Sequence, residues 1–354
     1  MTEDEYRRAN PEKLENFVSS AFQKVGVNRA DAAVAASILV EADLRGIDSH
    51  GVVNLPGYYI DDIMQGTTNP KPNFVVTRGS PTTASVDGDG GLGLLVSHRS
   101  MSEAIEMAEE YGSGWVTAFN STHSGAGAYY VLMAVKRNMI GFHFSTGGPS
   151  VTGPGGTSRF IGANVIAFAA PCGRHGPFVM DMTPTMGISN KVHKLQWEGK
   201  QMPEGWAVDK EGRPITDPNV YFTQKGALLP LGSMPSLGVH KGFGLLLLSD
   251  ILTGMLSGQG GSMLRRKGWH SQAFGALRID AFSTAGDFAE LMDAMVEKIH
   301  SAPTAKGAER MRYPGERGNR IREERGKRGI PLHPKIVSDL QEMCVKLDLP
   351  MDIW

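Results

Sequence analysis

Three short segments place titratable side chains beside glycines where the chain turns. RGIDSHG (45–51) carries Ser49 and His50, NSTHSGAGAYY (120–130) carries His123, and VHKGFG (239–244) carries His240 and Lys241. Imidazole titrates near neutrality, so it suits proton exchange with an alkoxide or an amine. A lysine at the buried start of an apolar helix opposes the helix dipole. Lys241 is explained there if it meets an anion or carbonyl of a ligand, and otherwise if it snorkels to solvent. A fourth segment, VMDMTP (179–184), ends an apolar run on Asp181, a residue type disfavoured in strands. Asp181 either caps the following turn or faces a pocket. Each histidine alone reads equally well as a polar loop residue. Together the segments point to acid–base chemistry on a small polar substrate.

The elements that must position these residues follow from periodicity. Leu14, Phe17, Val18, Ala21, Phe22 and Val25 share a helical face, with Gly26 as a stop. Asn28 suits the cap of a second helix, with Val34, Ala35, Ile38, Leu39 and Ala42 as its stripe and Gly46 at its end. Helical spacing returns at Met101, Ala104, Ile105 and Ala108, so the first 112 residues read as mainly helical. From about 115 the chain turns β-rich: WVTAF (115–119), IGFHFS (140–145), NVIAFAA (164–170), PFVMDM (177–182) and FGALRIDAF (274–282) are strand candidates. AYYVLMAVKRN (128–138) is a helix between the first two. NSTHSGAGAYY therefore joins a strand to a helix start, where backbone amides hold anions and Gly125 and Gly127 allow close approach. QMPEGWAVDKEGRPITDP (201–218) is a turn-rich excursion. DFAELMDAMVEKIHS (287–301) is an amphipathic helix, and a last one carries Ile336, Leu340, Cys344 and Leu347. Between them, residues 309–328 hold eight Arg/Lys against four Glu. The helical ends are expected to pack together around a central β domain.

Composition excludes several classes. The formal net charge is −1, so no global field recruits nucleic acid or an anionic membrane. The N-terminal MTEDEYRRANPEK lacks a signal-peptide core. GLLLLSDILTGMLSG (244–258) is too short to span a bilayer and contains Asp250, so it reads as a helix buried in protein. The two cysteines, Cys172 and Cys344, exclude a disulfide framework and suit a reducing cytoplasm. Without HExxH or CxxC, no metal site is expected. GDGGLG (88–93) is the nearest approach to a Rossmann phosphate loop, but TTASVDG before it is a poor strand and no partner acid follows at the expected distance. It reads as a turn before a helix. A serine hydrolase using Ser49 or Ser121 with a histidine and Asp181 lacks a GxSxG elbow, and adjacent Ser49 and His50 are poorly spaced for mutual contact.

RGIDSHGVVNLPGYY, NSTHSGAGAYY, GGTSRFIGANVIAFAAP, MDMTPTMG, HKGFGLLLLSDILTGMLSG and RYPGERGNRIREERGKRGIPL, in this order, resemble the type-2 malate/L-lactate dehydrogenase family. The resemblance implies an α/β (α+β) chain with a non-Rossmann nicotinamide-binding fold. Its central sheet would be mixed and largely antiparallel, with a helical domain built from both chain ends. It divides the chain into a helical substrate-side and dimerisation domain (1–120 with 305–354) and a β-rich cofactor-binding domain (121–304). It implies a homodimer that transfers a hydride between NAD(H) or NADP(H) and a small 2-oxo/2-hydroxy acid or cyclic 2-imino acid. By motif, Ser49, His50, His123 and Lys241 are the catalytic candidates, with His123 the proton donor or acceptor. Arg45, Asn54, Tyr58 and Ala163 fall on the substrate side. His123, Ser124, Gly125, Ala126, Gly147, Asp181, Met182, Thr183, His240, Lys241, Arg312, Pro314, Gly315, Glu316 and Arg317 fall on the cofactor. Two positions depart from the family. Asn54 stands where an arginine commonly grips the substrate carboxylate, and Ala163 replaces a threonine. The carboxylate then needs another cation, with Arg45, Arg159 and Lys241 as candidates, or the substrate is not a simple malate- or lactate-like acid. A member that binds NAD(P) with altered or lost catalysis is the alternative.

Overall fold

The computed structural model describes residues 6–264 and 270–354; the first five residues of the polar N-terminal stretch and residues 265–269 lie outside the described residues. The first two helices form where caps and apolar stripes coincide. In α1 (Pro11–Lys24) the Asn10 side chain accepts from the Lys13 amide, and in α2 (Arg29–Leu44) Asn28 accepts from the Asp31 amide. Leu14, Phe22, Ile38 and Leu39 are fully buried, each contributing roughly 1.5–3 kcal/mol. A π-helical turn, Leu55–Asp61, runs into the short α3 (Asp62–Met64).

The chain ends do meet. β1 (Arg7–Ala9) pairs antiparallel with β11 (Ile330–Leu332), and the Asn10 amide donates to Ile353 O at 2.7 Å. The central sheet has seven strands: β2 (Val75–Ser80), β3 (Thr83–Gly91), β4 (Ser113–Ser121), β5 (Met139–Ser145), β6 (Val165–Ala170), β7 (Phe178–Met182) and β10 (His270–Arg278). Their order is β2-β3-β4-β10-β5-β6-β7. The β3–β4 pair is parallel, joined by α4 (Gly93–Tyr111), and the other ladders are antiparallel. The sheet is thus mixed and largely antiparallel, as the resemblance implied. α4 and α5 (Gly127–Val135) cover one face, with α1 and α2 behind them. α8 (Val239–Asp250) and its π-helical continuation Ile251–Met255 cover part of the other. The segment between β7 and α8 holds α6 (Ser189–Trp197), β8 (Ala207–Val208), α7 (Pro218–Thr223) and β9 (Ala227–Leu228) around its own core of Val151, Ile161, Val192, Tyr221 and Leu246. α9 (Ala285–Ser301), α10 (Glu316–Arg328) and α11 (Pro334–Leu347) complete the chain.

Two readings need correction. The early chain is less helical than its apolar spacing suggested: TTASVDG is most of β3. That strand hides because its inward positions are Ala84, Val86 and Gly88. The side chain of a larger residue would not fit, since a Cβ on Gly88 would lie 2.8 Å from Val96 and 2.9 Å from Asn120 O. The apolar run 244–258 is not buried all round. Leu246, Ser249 and Asp250 face the protein, whereas Leu248, Ile251 and Leu256 are exposed.

Candidate active site

β4 delivers the His123 loop, and the loop is held from four directions. The Gly93 amide at the start of α4 donates to Thr122 Oγ1 (2.9 Å). Gln272 Nε2 on β10 donates to Thr122 O (3.3 Å), and Tyr130 Oη donates to Ser124 O (2.5 Å). Asp181 Oδ2, at the end of β7, accepts the Ala128 amide (2.8 Å). GDGGLG therefore does sit between a strand and a helix, yet an amide of its turn is already taken by Thr122. Asp181 caps the start of α5 rather than its own turn.

His123 stands at the centre of a ring cluster. Its centroid lies 5.6 Å from His50, stacked, 5.2 Å from Tyr58 and 6.0 Å from His270, edge-on. His123 Nδ1 bonds Tyr59 Oη at 2.7 Å and accepts the Gly125 amide at 3.3 Å. His270 Nδ1 lies 2.6 Å from Thr146 O. A carbonyl only accepts, so this nitrogen carries the proton.

His50 is set by the turn after α2. Ser49 Oγ lies 2.8 Å from His50 Nδ1, so the adjacent pair does touch, against the spacing argument made from sequence. No relay extends from it to Asp181, whose carboxylate serves α5. Asp43 Oδ2 accepts the Val52 amide (2.9 Å), and Arg325 binds both Asp43 O and Asp48. Ser49 O accepts from Asn54 Nδ2 (3.0 Å) and Asn190 Nδ2 (2.6 Å), and Asn190 Nδ2 also reaches Asn54 Oδ1 (3.2 Å). Asn54 is buried. It clamps the histidine turn.

The electrostatics keep the His50 and His123 imidazoles neutral. Burial, with the nearby Lys191 charge, lowers His50 to about 4. Burial, then His50 and His270, holds His123 well below the usual histidine range. Neutral rings donate and accept hydrogen bonds, which suits exchange of one proton with a substrate oxygen or nitrogen.

The remaining candidates fall in several places. Tyr58 is exposed over His123. Ser124, Gly125 and Ala126 form the loop into α5. Gly147 follows Thr146, the partner of His270, and faces open space. Met182 and Thr183 continue from Asp181, with Thr183 Oγ1 2.7 Å from Thr185 Oγ1. His240 and Lys241 are both exposed on the first turn of α8, between the buried Val239 and Gly242, so Lys241 reaches solvent. Arg312 to Arg317 lie against β7: the Val179 amide donates to Pro314 O at 2.9 Å, and Glu316 binds His300 (2.9 Å) and Arg310 (2.5 Å). Two candidate cations are committed elsewhere. Arg45 binds Glu41 (2.8 Å) and Asn319 (2.9 Å), and Arg159 donates to Gly226 O (2.8 Å). Ala163 packs on the Val151–Ile161–Leu246 core. Among the described residues no group of His, Cys, Asp and Glu is arranged to hold a metal.

Sequence reasoning missed Tyr59, Asn190, Lys191 and His270. Tyr59 was one residue from a named candidate. α6 offered little apolar signal, with Val192 its one buried residue among those described.

Asp181 carries a pH prediction. Burial pushes its carboxyl up to about 6, against the pull of the Ala128 and Gly127 amides. A carboxyl raised above its unfolded value of about 4 binds more protons folded than unfolded, so stability falls as pH rises through this window. Asp181→Asn is expected to flatten the dependence of the melting temperature between those two pH values. An unchanged slope would show that another group titrates there.

The chain is similar to known proteins along almost its whole length. Residues 9–341 match the malate/L-lactate dehydrogenase family. The chain is 39% identical to a malate dehydrogenase of Pyrococcus horikoshii over 98% of its length and 97% of the relative. It is 31% identical to an L-sulfolactate dehydrogenase of Methanocaldococcus jannaschii, covering 97% and 98%. The crystal structure of a malate dehydrogenase from Entamoeba histolytica superposes with a TM-score of 0.93 at 27% identity, covering 98% of this chain and 100% of that one. With the match running almost from end to end, the chain belongs to the malate/L-lactate dehydrogenase family and is an oxidoreductase of that family.

Proposed function

We propose that the chain transfers a hydride between NAD(P)H and the C2 carbon of a small 2-oxo/2-hydroxy acid carrying a second anionic group, at the cleft lined by His50, His123, Tyr58 and His270. The observation that carries this reading is the cluster of imidazoles around His123, in which His50 and His123 are both held below the usual histidine range. The nicotinamide supplies or takes the hydride when bound. The residues fit a dinucleotide: Gly147 and Gly148 leave open space beside the His270 partner Thr146. Gly238 begins α8 in a left-handed conformation (φ 82°) with no side-chain cap, and His240 and Lys241 are exposed on that turn, an arrangement suited to a pyrophosphate. Arg312 and Arg317 are exposed beside β7 and suit the remaining phosphate charge.

Lys191 takes the place of the missing arginine. It follows Asn190, which bonds Ser49 O, and its charge is felt at His50. Among the named relatives, malate and sulfolactate dehydrogenases carry names of substrates with two acidic groups, which favours such a substrate over a lactate-like one. A cyclic 2-imino acid is the second substrate class. A panel of these acids and imines with NADH and NADPH, followed by nicotinamide absorbance, tests the reading. With the preferred acid, Lys191→Met is expected to raise KM about 10- to 100-fold, the scale of one lost charge-assisted bond. Tight NAD(P)H binding with no turnover on any member would support a binder that has lost catalysis.

The rest of the proposal concerns assembly. Residues 1–120 with 305–354 form the substrate and dimer side, and 121–304 the cofactor side. Leu248, Ile251, Leu256 and Leu264 are exposed along one stretch, an apolar face that a second copy would cover and that extends the dimer side into 121–304; a homodimer is testable by sedimentation. Two free cysteines suit the cytoplasm.

A further inference from the structure

Tyr59 closes the RGIDSHGVVNLPGYY motif without a role assigned to it there, yet it makes the shortest hydrogen bond to the central histidine among the described residues. Its ring is fully buried, edge-on to Phe22 at a centroid distance of 6.1 Å. Its hydroxyl lies 2.7 Å from His123 Nδ1. The Gly125 amide points at the same nitrogen from 3.3 Å, which its positive φ of 69° permits. A backbone amide only donates, so Nδ1 must present its lone pair. A neutral imidazole with an accepting Nδ1 carries its proton on Nε2, and Nε2 is the nitrogen left for a ligand.

We propose that Tyr59 is a positioning residue that donates to His123 Nδ1 and holds the ring as a neutral Nε2–H donor aimed at the substrate oxygen. This inference rests on the hydride-transfer reading. In that role His123 polarises the C=O bond and steadies the developing alkoxide, and it does not give up its own proton. The net proton that the alkoxide takes up is then drawn from solvent water at the exposed side of the cluster, beside Tyr58. His50 and His270 are the titratable rings against His123, with Tyr58 above it and Lys191 acting on His50. Burial holds the Tyr59 hydroxyl well above its usual range, so it keeps the proton it donates. An imidazolium would need a proton on Nδ1, opposite a backbone N–H that cannot turn away.

Nitrogen-15 NMR of the histidine-labelled wild-type protein tests this without any activity, the His123 signals being assigned by their loss in His123→Gln. The expected result is a neutral ring with Nε2 protonated at neutral pH. A proton on Nδ1, or an imidazolium, would overturn the proposal. Tyr59→Phe is expected to lower kcat about 10-fold with KM within about twofold, the scale of one lost positioning hydrogen bond. It should also move the acid limb of the kcat/KM profile to higher pH, because one of the two donors that oppose a proton on Nδ1 is removed. A rate loss with an unmoved pH profile means packing only, and overturns the proposal. His123→Gln, whose amide reaches the Nε2 position, should retain more activity than His123→Asn; equal loss in both would make His123 the acid instead. If the wild type turns over no substrate, the functional reading fails while the NMR result still stands for or against Tyr59.

Discussion

His123→Asn is expected to lower kcat by about 10²–10³-fold, the cost of removing one aligned donor from a developing oxyanion. The loss should fall on turnover. NADH affinity, followed by fluorescence titration, should stay within about twofold, because the proposed phosphate contacts lie on α8 and beside β7. The shortened side chain withdraws its polar end from the substrate side while leaving the loop anchored through Thr122 O and Ser124 O. His50→Asn is the companion measurement. His50 contacts Ser49 and stacks on His123, so a comparable loss there would mark it as the proton-exchanging group. If His123→Asn kept near-wild-type kcat, the cluster would not be the reaction centre.

Gly93→Ala is expected to be the most damaging single methyl group in the site. A Cβ there would lie 2.1 Å from Thr122 O and 2.5 Å from His123 O. Both neighbours are backbone, so no rotamer change relieves the overlap. Either α4 withdraws from the sheet or the His123 loop shifts. Overpacking of this kind costs about 3 kcal/mol or more, visible as a lower melting temperature. A shift of about 1 Å in the catalytic loop costs about 10²-fold in rate. Gly57→Ala is the control: nothing lies within 4 Å of its Cβ, and its effect on stability should stay within about 1 kcal/mol. A Gly93→Ala protein with wild-type stability and rate would mean that α4 does not hold the loop.

Much of the site could be read along the chain because its histidines sit at glycine-flanked turns between strongly periodic elements. β4 to β7 carry β-branched and aromatic residues at strand spacing, and α5 follows the His123 loop with a continuous apolar pattern. β3 escaped because close packing by α4 demands Ala84 and Gly88 where a strand usually shows bulky residues. α6 escaped because Val192 is its one buried residue among those described, which leaves it little apolar pattern. The substrate cation was sought at Arg45, Arg159 and Lys241, since charge alone is visible in sequence. The fold engages the first two with partners of their own and turns the third to solvent.

Taken by itself, the amino-acid sequence determined the family, the mixed and largely antiparallel architecture, and the two histidines at its centre. The family and the sheet's architecture rest on the resemblance carried by six short motifs in order, while caps and periodicities placed the helices and strands between which the histidines turn. Only the tertiary structure decided which groups meet those histidines. β10, from near the end of the chain, inserts between β4 and β5 and brings His270 beside His123. The π-helical turn after Asn54 brings Tyr59 beneath Nδ1, and α6 brings Lys191 toward His50. Such contacts depend on strand order and on the phase of a helix against its neighbour, which are set by packing between segments far apart in the chain.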